Sequence, residues 1–420
     1  MNWYKKEKNN GNKYTLNKND IILIFIVALT ARLVWALFSG VPVDSGGDFP
    51  RYDIFSDNIV NGNLNLKLDS FIVAPLFPYI FALFKYLSRN QWIYTLGGFQ
   101  ITLSAIASVY AAKTAWIIFK RRSISITSGL VYSLTIPTLY YVHTATQESL
   151  FQSIFIISIF YATSYCNSRN TKDLILFSIL FTLSLLTKSH VILSIPLWSI
   201  MIFMVQKNIK KRLIDNAILF IIIVTMTLPY GLYNLQANGM YVISSSGGGY
   251  HFLTGHNDDF YKFMVNTPKK GTKEYTRLVN MEYPIFEEAI KGYNLTHKGN
   301  QKKYLEEGIS WIKSNPIKYI NLSVYNLLHH LRPGYSFKFH EFIPTLISLI
   351  FLIPIYILAY IELIKSINES PKHYPAYVVF LTMIFFVFIF YSQNRFRVIT
   401  VEPIYLIYAS PSITRLLKFI

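Results

Sequence analysis

The sequence predicts an all-α protein that crosses a membrane many times, and three observations predict it. Hydrophobic residues make up 52% of the 420, and mean hydropathy is +0.33. Apolar runs of about 20 residues, enough to cover a ~30 Å hydrocarbon core, recur from Ile21 to the C-terminus. These runs are continuous rather than alternating, which selects helices over a closed barrel. The basic residues gather in short segments between the runs, so the net charge of +18 is a topology signal and not a nucleic-acid footprint. The expected surroundings are therefore membrane lipid, with no nucleic-acid partner. A single cysteine, Cys166, excludes an internal disulfide framework and a cysteine-based metal cluster.

The elements follow from charge, in order. Residues 1–20 carry Lys5, Lys6, Lys8, Lys13 and Lys18 and form a cytoplasmic basic tail. The run after it is long enough to stay as an anchor rather than a cleaved leader. Helix Ile21–Ser39 runs outward with Arg32 in its outer half, facing the protein interior or snorkelling outward. Val41–Ser70 is then an outer loop. Phe71–Leu87 is apolar but carries Pro75, Pro78 and Lys85, with Arg89 just beyond it, and reads as a helix lying in the outer interface. If it crossed instead, the basic triplet Lys120-Arg121-Arg122 would fall outside and every later loop would invert. Trp92–Phe119 descends to that triplet, and Ile124–Val142 returns outward. Ser149–Tyr165 descends again, and Leu174–Thr187 with Val191–Val205 forms a tight pair ending at inner Lys207, Lys210, Lys211 and Arg212. Leu213–Tyr230 leads out to a Lys-, Asn-, Gly- and Tyr-rich segment, 233–338. That segment opens on Gly247-Gly248-Gly249 and later holds a helical pattern from Lys302 to Leu331, interrupted at Asn315-Pro316. Phe342–Ile364, Tyr374–Tyr391 and Val398–Leu416 complete about ten spans. The chain thus divides into the tail, a membrane module at 21–232 with its outer loop at 41–70, the outer segment at 233–338, and C-terminal helices at 339–420.

This topology collects polar residues at one surface. They are Asp44, Asp48, Arg51, Tyr52 and Asp53 in the first outer loop; His143, Gln147 and Glu148; Lys188 and His190; His251, His256, Asn257, Asp258 and Asp259; and Arg395 with Arg397 between the last two helices. Charges beside a bilayer are costly and are functional candidates for that reason. The chemistry such a set suits is transfer of a group from a phosphate leaving group to a hydroxyl. A carboxylate takes the attacking hydroxyl's proton, and cations stabilise the charge growing on the departing phosphate. Arginine suits the second role through its fixed fork of donors. No convincing metal-ligand set stands out, so no cofactor is expected. A lipid-linked sugar flippase or other transporter, and a non-catalytic membrane subunit, are the competing readings. The first would ordinarily show internal repeats, and none is visible.

From Arg32 onward the sequence resembles the polyprenyl-phosphate-sugar glycosyltransferases of the GT-C fold, and most closely glycosyltransferase family 39. That family includes the dolichyl-phosphate-mannose protein mannosyltransferases and the lipid A aminoarabinose transferase. The resemblance rests on an ordered set: Asp48-Phe49-Pro50-Arg51-Tyr52 followed by Asn61-Gly62; Ala74-Pro75-Leu76-Phe77-Pro78; Thr146-Gln147-Glu148-Ser149-Leu150; and Thr187-Lys188. It continues with 241–248, Gly255-His256-Asn257, Ile312 to Pro316, Arg395-Phe396-Arg397, and Pro403. It implies transfer of a sugar from a polyprenyl-phosphate carrier to a hydroxyl of a glycan, lipid or protein acceptor, with inversion, at the outer face of the plasma membrane. Asp48 would be the base, Glu148 would orient the acceptor or assist the base, and Arg51 and Tyr52 would position Asp48. Lys188, Arg395 and Arg397 would hold the donor phosphate, and His251 would contact substrate. The family often has Asp-Glu at the first motif. Phe49 stands in the second place here, which leaves Asp44 as a rival base. Val73 and Ala74 stand near the lysine of the lipid A branch, which weakens that acceptor. There is no room for the β-rich inserted domain of the eukaryotic mannosyltransferases.

Overall fold

A computed structural model describes residues 16–40, 48–62, 73–269, 271–280, 298–334 and 342–417, and these are helices joined by short turns. Asp44 and part of the expected interfacial segment, residues 71 and 72, lie outside the described residues. The first helix, Lys18–Ser39, begins at a capping box between Asn17 and Asp20. Its inward stripe is Asp20, Ile24, Ala28 and Arg32, one residue every fourth position, while Leu37 and Phe38 point away and are exposed. Arg32 therefore faces the interior. It donates to Ser104 Oγ at 2.7 Å, to the Ala28 carbonyl at 3.0 Å and to the Ser133 carbonyl at 3.3 Å, tying three helices together.

Among the described residues six stretches are long and apolar enough to cross a membrane, fewer than the ten expected. Four expected spans, at 124–142, 174–187, 191–205 and 398–416, account for the difference, while the break between the interfacial helix and Trp92–Phe119 falls where the sequence placed it. Leu76–Phe119 counts as one stretch of 44 residues, yet Arg89 takes a positive φ of 44° and splits it into Leu76–Ser88 and Trp92–Phe119. The 13-residue piece rises ~20 Å, short of a ~30 Å core. Ile124–Val142 is not one helix: it breaks at extended Thr135, before Pro137, into Arg122–Leu134, a short turn at Ile136–Leu139 and a 3₁₀ turn at Tyr140–His143. Thr171–Thr187 and Ile195–Val205 are helices of only 17 and 11 residues.

The last helix, Asn394–Leu416, is polar enough to fall outside the apolar set, yet it is deeply enclosed. Every residue from Ile399 to Pro411 is buried, against Phe342–Lys365, Arg122–Leu134 and Gln147–Ser168. It starts four residues earlier than expected, so Arg395 and Arg397 lie in its first turn and not in a loop.

A second apolar cluster holds the helix Phe49–Val60 in place. Phe49, Tyr52 and Phe55 pack on Phe77 and Phe81, and on Leu96, Leu150 and Ile154 behind them. Lys85 adds ion pairs of 2.6 Å to both Asp53 and Asp57 and sits 4.9 Å from the centre of the Phe81 ring. Beyond Asn238, the described part of the long segment carries the helices Gly248–Gly255, Asp258–Met264, Lys273–Asn280, Lys298–Ser314 and Pro316–Leu331. The last two meet at Asn315, as the Asn-Pro pair predicts.

Candidate active site

Residues from five parts of the sequence, 48–74, 147, 188–193, 243–251 and 386–396, meet at one cavity of about 220 Å³. Asp48 occupies the N-cap position of Phe49–Val60, where Pro50 favours the first turn. Its backbone carbonyl accepts from the Arg51 and Tyr52 amides, and its side chain stays free to face the cavity. Arg395 reaches it from the last helix: Nη1 donates to Asp48 Oδ2 at 2.8 Å, while Nε donates to Gln393 Oε1 at 2.8 Å. Arg51 Nη1 lies 3.6 Å from Asp48 Oδ1.

Glu148 is the second residue of Gln147–Ser168, where a carboxylate also suits the positive end of the helix dipole. Lys188 ends Thr171–Thr187 in an extended conformation that turns its side chain towards Glu148. Its Nζ donates to Glu148 Oε1 at 2.6 Å, and both side chains are nearly sealed from solvent. Arg395 Nη1 is 3.9 Å from the same carboxylate and links the two acids. The result is a continuous chain of charge: Arg51, Asp48, Arg395, Glu148 and Lys188.

Asp48, Arg51, Tyr52, Lys188, His251 and Arg395 all line the cavity. Glu148 is not on its wall but lies behind Lys188. Arg397 departs from the expectation. It is 2% exposed and turned away, with Nε donating to Glu402 at 2.9 Å and Nη1 and Nη2 donating to the Arg332 and Gly334 carbonyls at 2.6 and 2.8 Å. Its donors are engaged by the protein, so it is a structural arginine. The reason is helical geometry, since residues two apart on a helix do not share a face. Of the remaining expected outer-face group, His143 accepts from Trp35, His256 meets the Phe252 carbonyl, and Asp258 pairs with Lys318. Among the described residues no group of three or more His, Cys, Asp or Glu side chains is arranged to hold a metal ion.

Burial pushes the Asp48 carboxyl up, but Arg395, Lys188 and Arg51 together outweigh it and hold it below the usual carboxylate range. Asp48 is therefore ionised at neutral pH. His251, whose Nδ1 lies 3.2 Å from the Tyr391 hydroxyl, is pushed down to about 4 by burial and then by Arg395, so it is neutral.

Two glycines of the expected motifs are explained by close approach. A Cβ at Gly249 would meet the Gln301 carbonyl oxygen at 2.0 Å, and one at Gly255 would meet the Phe390 carbonyl oxygen at 2.2 Å. Both keep the helix that carries His251 tight against its neighbours. Asn257 then caps the next helix, accepting from the Phe260 amide at 2.8 Å.

The sequence placed Gln147 and His190 on the outer face, and Ser244, Ser245 and Phe396 in stretches of the family resemblance, without giving any of them a role; it did not single out the cavity aromatics Phe386, Phe390 and Tyr391. The aromatics are indistinguishable from lipid-facing residues until the helices are packed.

Residues 73–230 match the profile of the family described as dolichyl-phosphate-mannose-protein mannosyltransferase. No curated protein sequence matches the chain. Among solved structures, the Archaeoglobus fulgidus oligosaccharyltransferase in its apo form aligns with a TM-score of 0.58 at 11% identity, covering 96% of this chain and 50% of that one. The archaeal oligosaccharyltransferase AglB from the same organism, in complex with an inhibitory peptide and a dolichol-phosphate, aligns at TM-score 0.55 and 11% identity over 96% of this chain and 50% of that one. The A. fulgidus enzyme in complex with Zn and sulfate gives 0.56 and 11%, over 95% and 50%. This chain thus spans about half the length of the proteins it resembles in fold. It has the GT-C fold, and the part of it that supplies Glu148 and Lys188 carries the sequence pattern of the dolichyl-phosphate-mannose-protein mannosyltransferase family.

Proposed function

We propose that the protein is a membrane glycosyltransferase that moves a sugar from a polyprenyl-phosphate carrier to an acceptor hydroxyl, with inversion and with Asp48 as base. The observation that carries this is the chain of charges at the cavity, assembled from positions 48, 51, 148, 188 and 395. Three cations against two carboxylates leave one net positive charge, which matches the single negative charge of a sugar phosphodiester. In the reaction the acceptor oxygen bonds to the anomeric carbon as the bond from that carbon to the phosphate oxygen breaks. The proton passes to Asp48, and the electron pair leaves with the polyprenyl phosphate. The charge cluster then carries two net positive charges, facing a phosphate monoester of about −1.5 to −2.

Arg395 couples the two halves of the step. Donor phosphate competes with Asp48 for its guanidinium, which frees the carboxylate as substrate arrives. Glu148 holds Lys188 in place and is a positioning residue. The active site faces the outer side of the plasma membrane in this reading, which follows from the basic segments assigned to the cytoplasm. The acceptor is a glycan, lipid or protein. The dolichol-phosphate in the AglB complex accords with a lipid-phosphate donor, as does the family matched by residues 73–230.

The test is release of polyprenyl phosphate from polyprenyl-phosphate sugars by wild type and Asp48→Asn in lipid, with a membrane extract as acceptor. Losing a general base lowers the rate by ~10²–10⁴-fold, and the variant still binds donor. Undiminished turnover would move the base to Asp44 or Glu148. A wild type that turns over no donor would favour a lipid-linked sugar flippase.

A further inference from the structure

The helix Pro316–Leu331 belongs to a segment whose composition predicts an outer, water-facing region, yet its polarity is inverted for water. Its inward side is Leu322, Ser323, Asn326, His329 and His330, all buried. Its outward side is Ile317, Ile320, Val324 and Leu328, 48–74% exposed. These four follow at steps of three and four, so they form one stripe along the helix. Asn321 flanks the stripe in the first half of the helix and is exposed as well. A helix on a water-soluble surface turns its polar side chains out. This one buries a serine, an asparagine and two histidines and leaves its aliphatic residues uncovered.

The two ends of the helix differ. Near the first, Lys318 pairs with Asp258 at 2.8 Å, and Trp311 of the preceding helix donates to the same carboxylate at 3.3 Å. Charged and aromatic groups of this kind anchor chains at a membrane–water boundary. The last end lies beside Thr345–Lys365, a stretch long and apolar enough to cross a membrane. Tyr360, well inside that stretch, donates to the Leu331 carbonyl at 3.1 Å. A Cβ at Gly334 would meet Ser348 Oγ of the same stretch at 2.6 Å. Arg397 donates to the Arg332 and Gly334 carbonyls. Water can satisfy the carbonyls of a helix end at an aqueous surface, whereas in hydrocarbon they need protein donors. Tyr360 and Arg397 are such donors.

We propose that Pro316–Leu331 dips into the bilayer leaflet on the cavity side, with Ile320, Val324 and Leu328 packed on lipid acyl chains. The same hydrocarbon meets the exposed Leu346, Ile347, Ile350 and Phe351 of the adjoining span. The 16 residues of the helix rise ~24 Å, less than a ~30 Å core, so it enters without crossing. His329 Nδ1 lies 3.1 Å from Ser392 Oγ, in the turn that leads to Arg395. The lipid-held helix therefore buttresses the turn that carries a cavity arginine. The glycosyl-transfer reading is not needed for this placement.

The test uses the full chain in lipid vesicles, spin-labelled at Ile320→Cys, Val324→Cys or Leu328→Cys, with Lys302→Cys, an exposed position, as the aqueous reference. Cys166 is buried, and the unsubstituted chain measures its background. Collisions with oxygen, which concentrates in hydrocarbon, are compared with collisions with a water-soluble nickel chelate present on both sides of the membrane. The ratio of oxygen to chelate collisions should be higher at 320, 324 and 328 than at 302, and highest at 328. Chelate collisions at 324 and 328 that match those at 302 overturn the proposal, because the face is then wet. Protection from both reagents also overturns it, because protein then covers the stripe. Leu328→Asp gives an independent reading. A carboxylate in hydrocarbon is costly, so its melting temperature in lipid should fall well below that of Leu328→Ala. Equal melting temperatures for the two variants count against the proposal.

Discussion

Arg395 and Arg397 stand two positions apart on one helix and live in opposite settings. Arg395 is partly open and shares Asp48 and Glu148 across the cavity rim, and in the proposed reaction it gives up one partner to the donor phosphate. Arg397 is sealed. Its guanidinium donates to Glu402 and to the carbonyls at and beyond the end of Pro316–Leu331, while Tyr356 donates to the same Glu402 at 2.7 Å. One ion pair is arranged to be exchanged and the other to be kept. A charge pair near a site is evidence of function when its partners are incompletely committed, and evidence of architecture when every donor is already used.

The sharpest way to break this comparison is to remove each arginine. Arg397→Met strands Glu402 in the bundle and uncovers the helix-end carbonyls, so thermal unfolding should show a loss of ~3–5 kcal/mol. Adding Glu402→Leu should recover much of it, because replacing both members of a buried pair with apolar groups is often close to neutral. If Arg397→Met leaves stability unchanged but abolishes turnover, Arg397 belongs to the site after all. Arg395→Gln should behave in the opposite sense. Turnover falls by ~10²–10³-fold, the scale of losing one preorganised charge-stabilising donor, and the melting point barely moves, since partly exposed ion pairs contribute ~1 kcal/mol or less.

The same contrast shows how much the sequence discloses. Asp48, Glu148, Lys188 and Arg395 were legible because charges beside a bilayer need a reason, and basic segments assign them a common side. Their pairing was not. Asp48 and Arg395 are 347 positions apart, and no local pattern says which of several cations reaches which acid. Arg397 was misassigned for a narrower reason: with the last helix begun at Val398, both arginines sat in a loop with no helical phase to separate them. The fold class was plain from apolar runs, and the break between the interfacial helix and Trp92–Phe119 was placed where it falls, but span boundaries failed where proline interrupts a run, at Pro137. The aromatic side of the cavity left no trace in hydropathy at all.

The smallest effect concerns pH and separates two titrating groups within the one cavity. Asp48 is held below its usual range, so its protonation cannot limit kcat/KM until the pH falls below ~4. His251 has its folded pKa pushed down to about 4, whereas an unfolded histidine titrates near ~6.5. Between those values the unfolded chain binds a proton that the folded chain does not. Stability contributed by this residue is therefore complete above ~6.5 and declines as pH falls towards 4. His256 is lowered as well and acts in the same direction. Melting temperature in lipid should drop between pH 7 and 5 while kcat/KM, measured well below the melting point, stays flat. His251→Asn should shallow the drop in melting temperature without introducing an acid limb in the rate. A wild-type rate that falls through pH 6 would mean that the functional base is a group other than a carboxylate held by Arg395, and the exchangeable pair would lose its catalytic meaning.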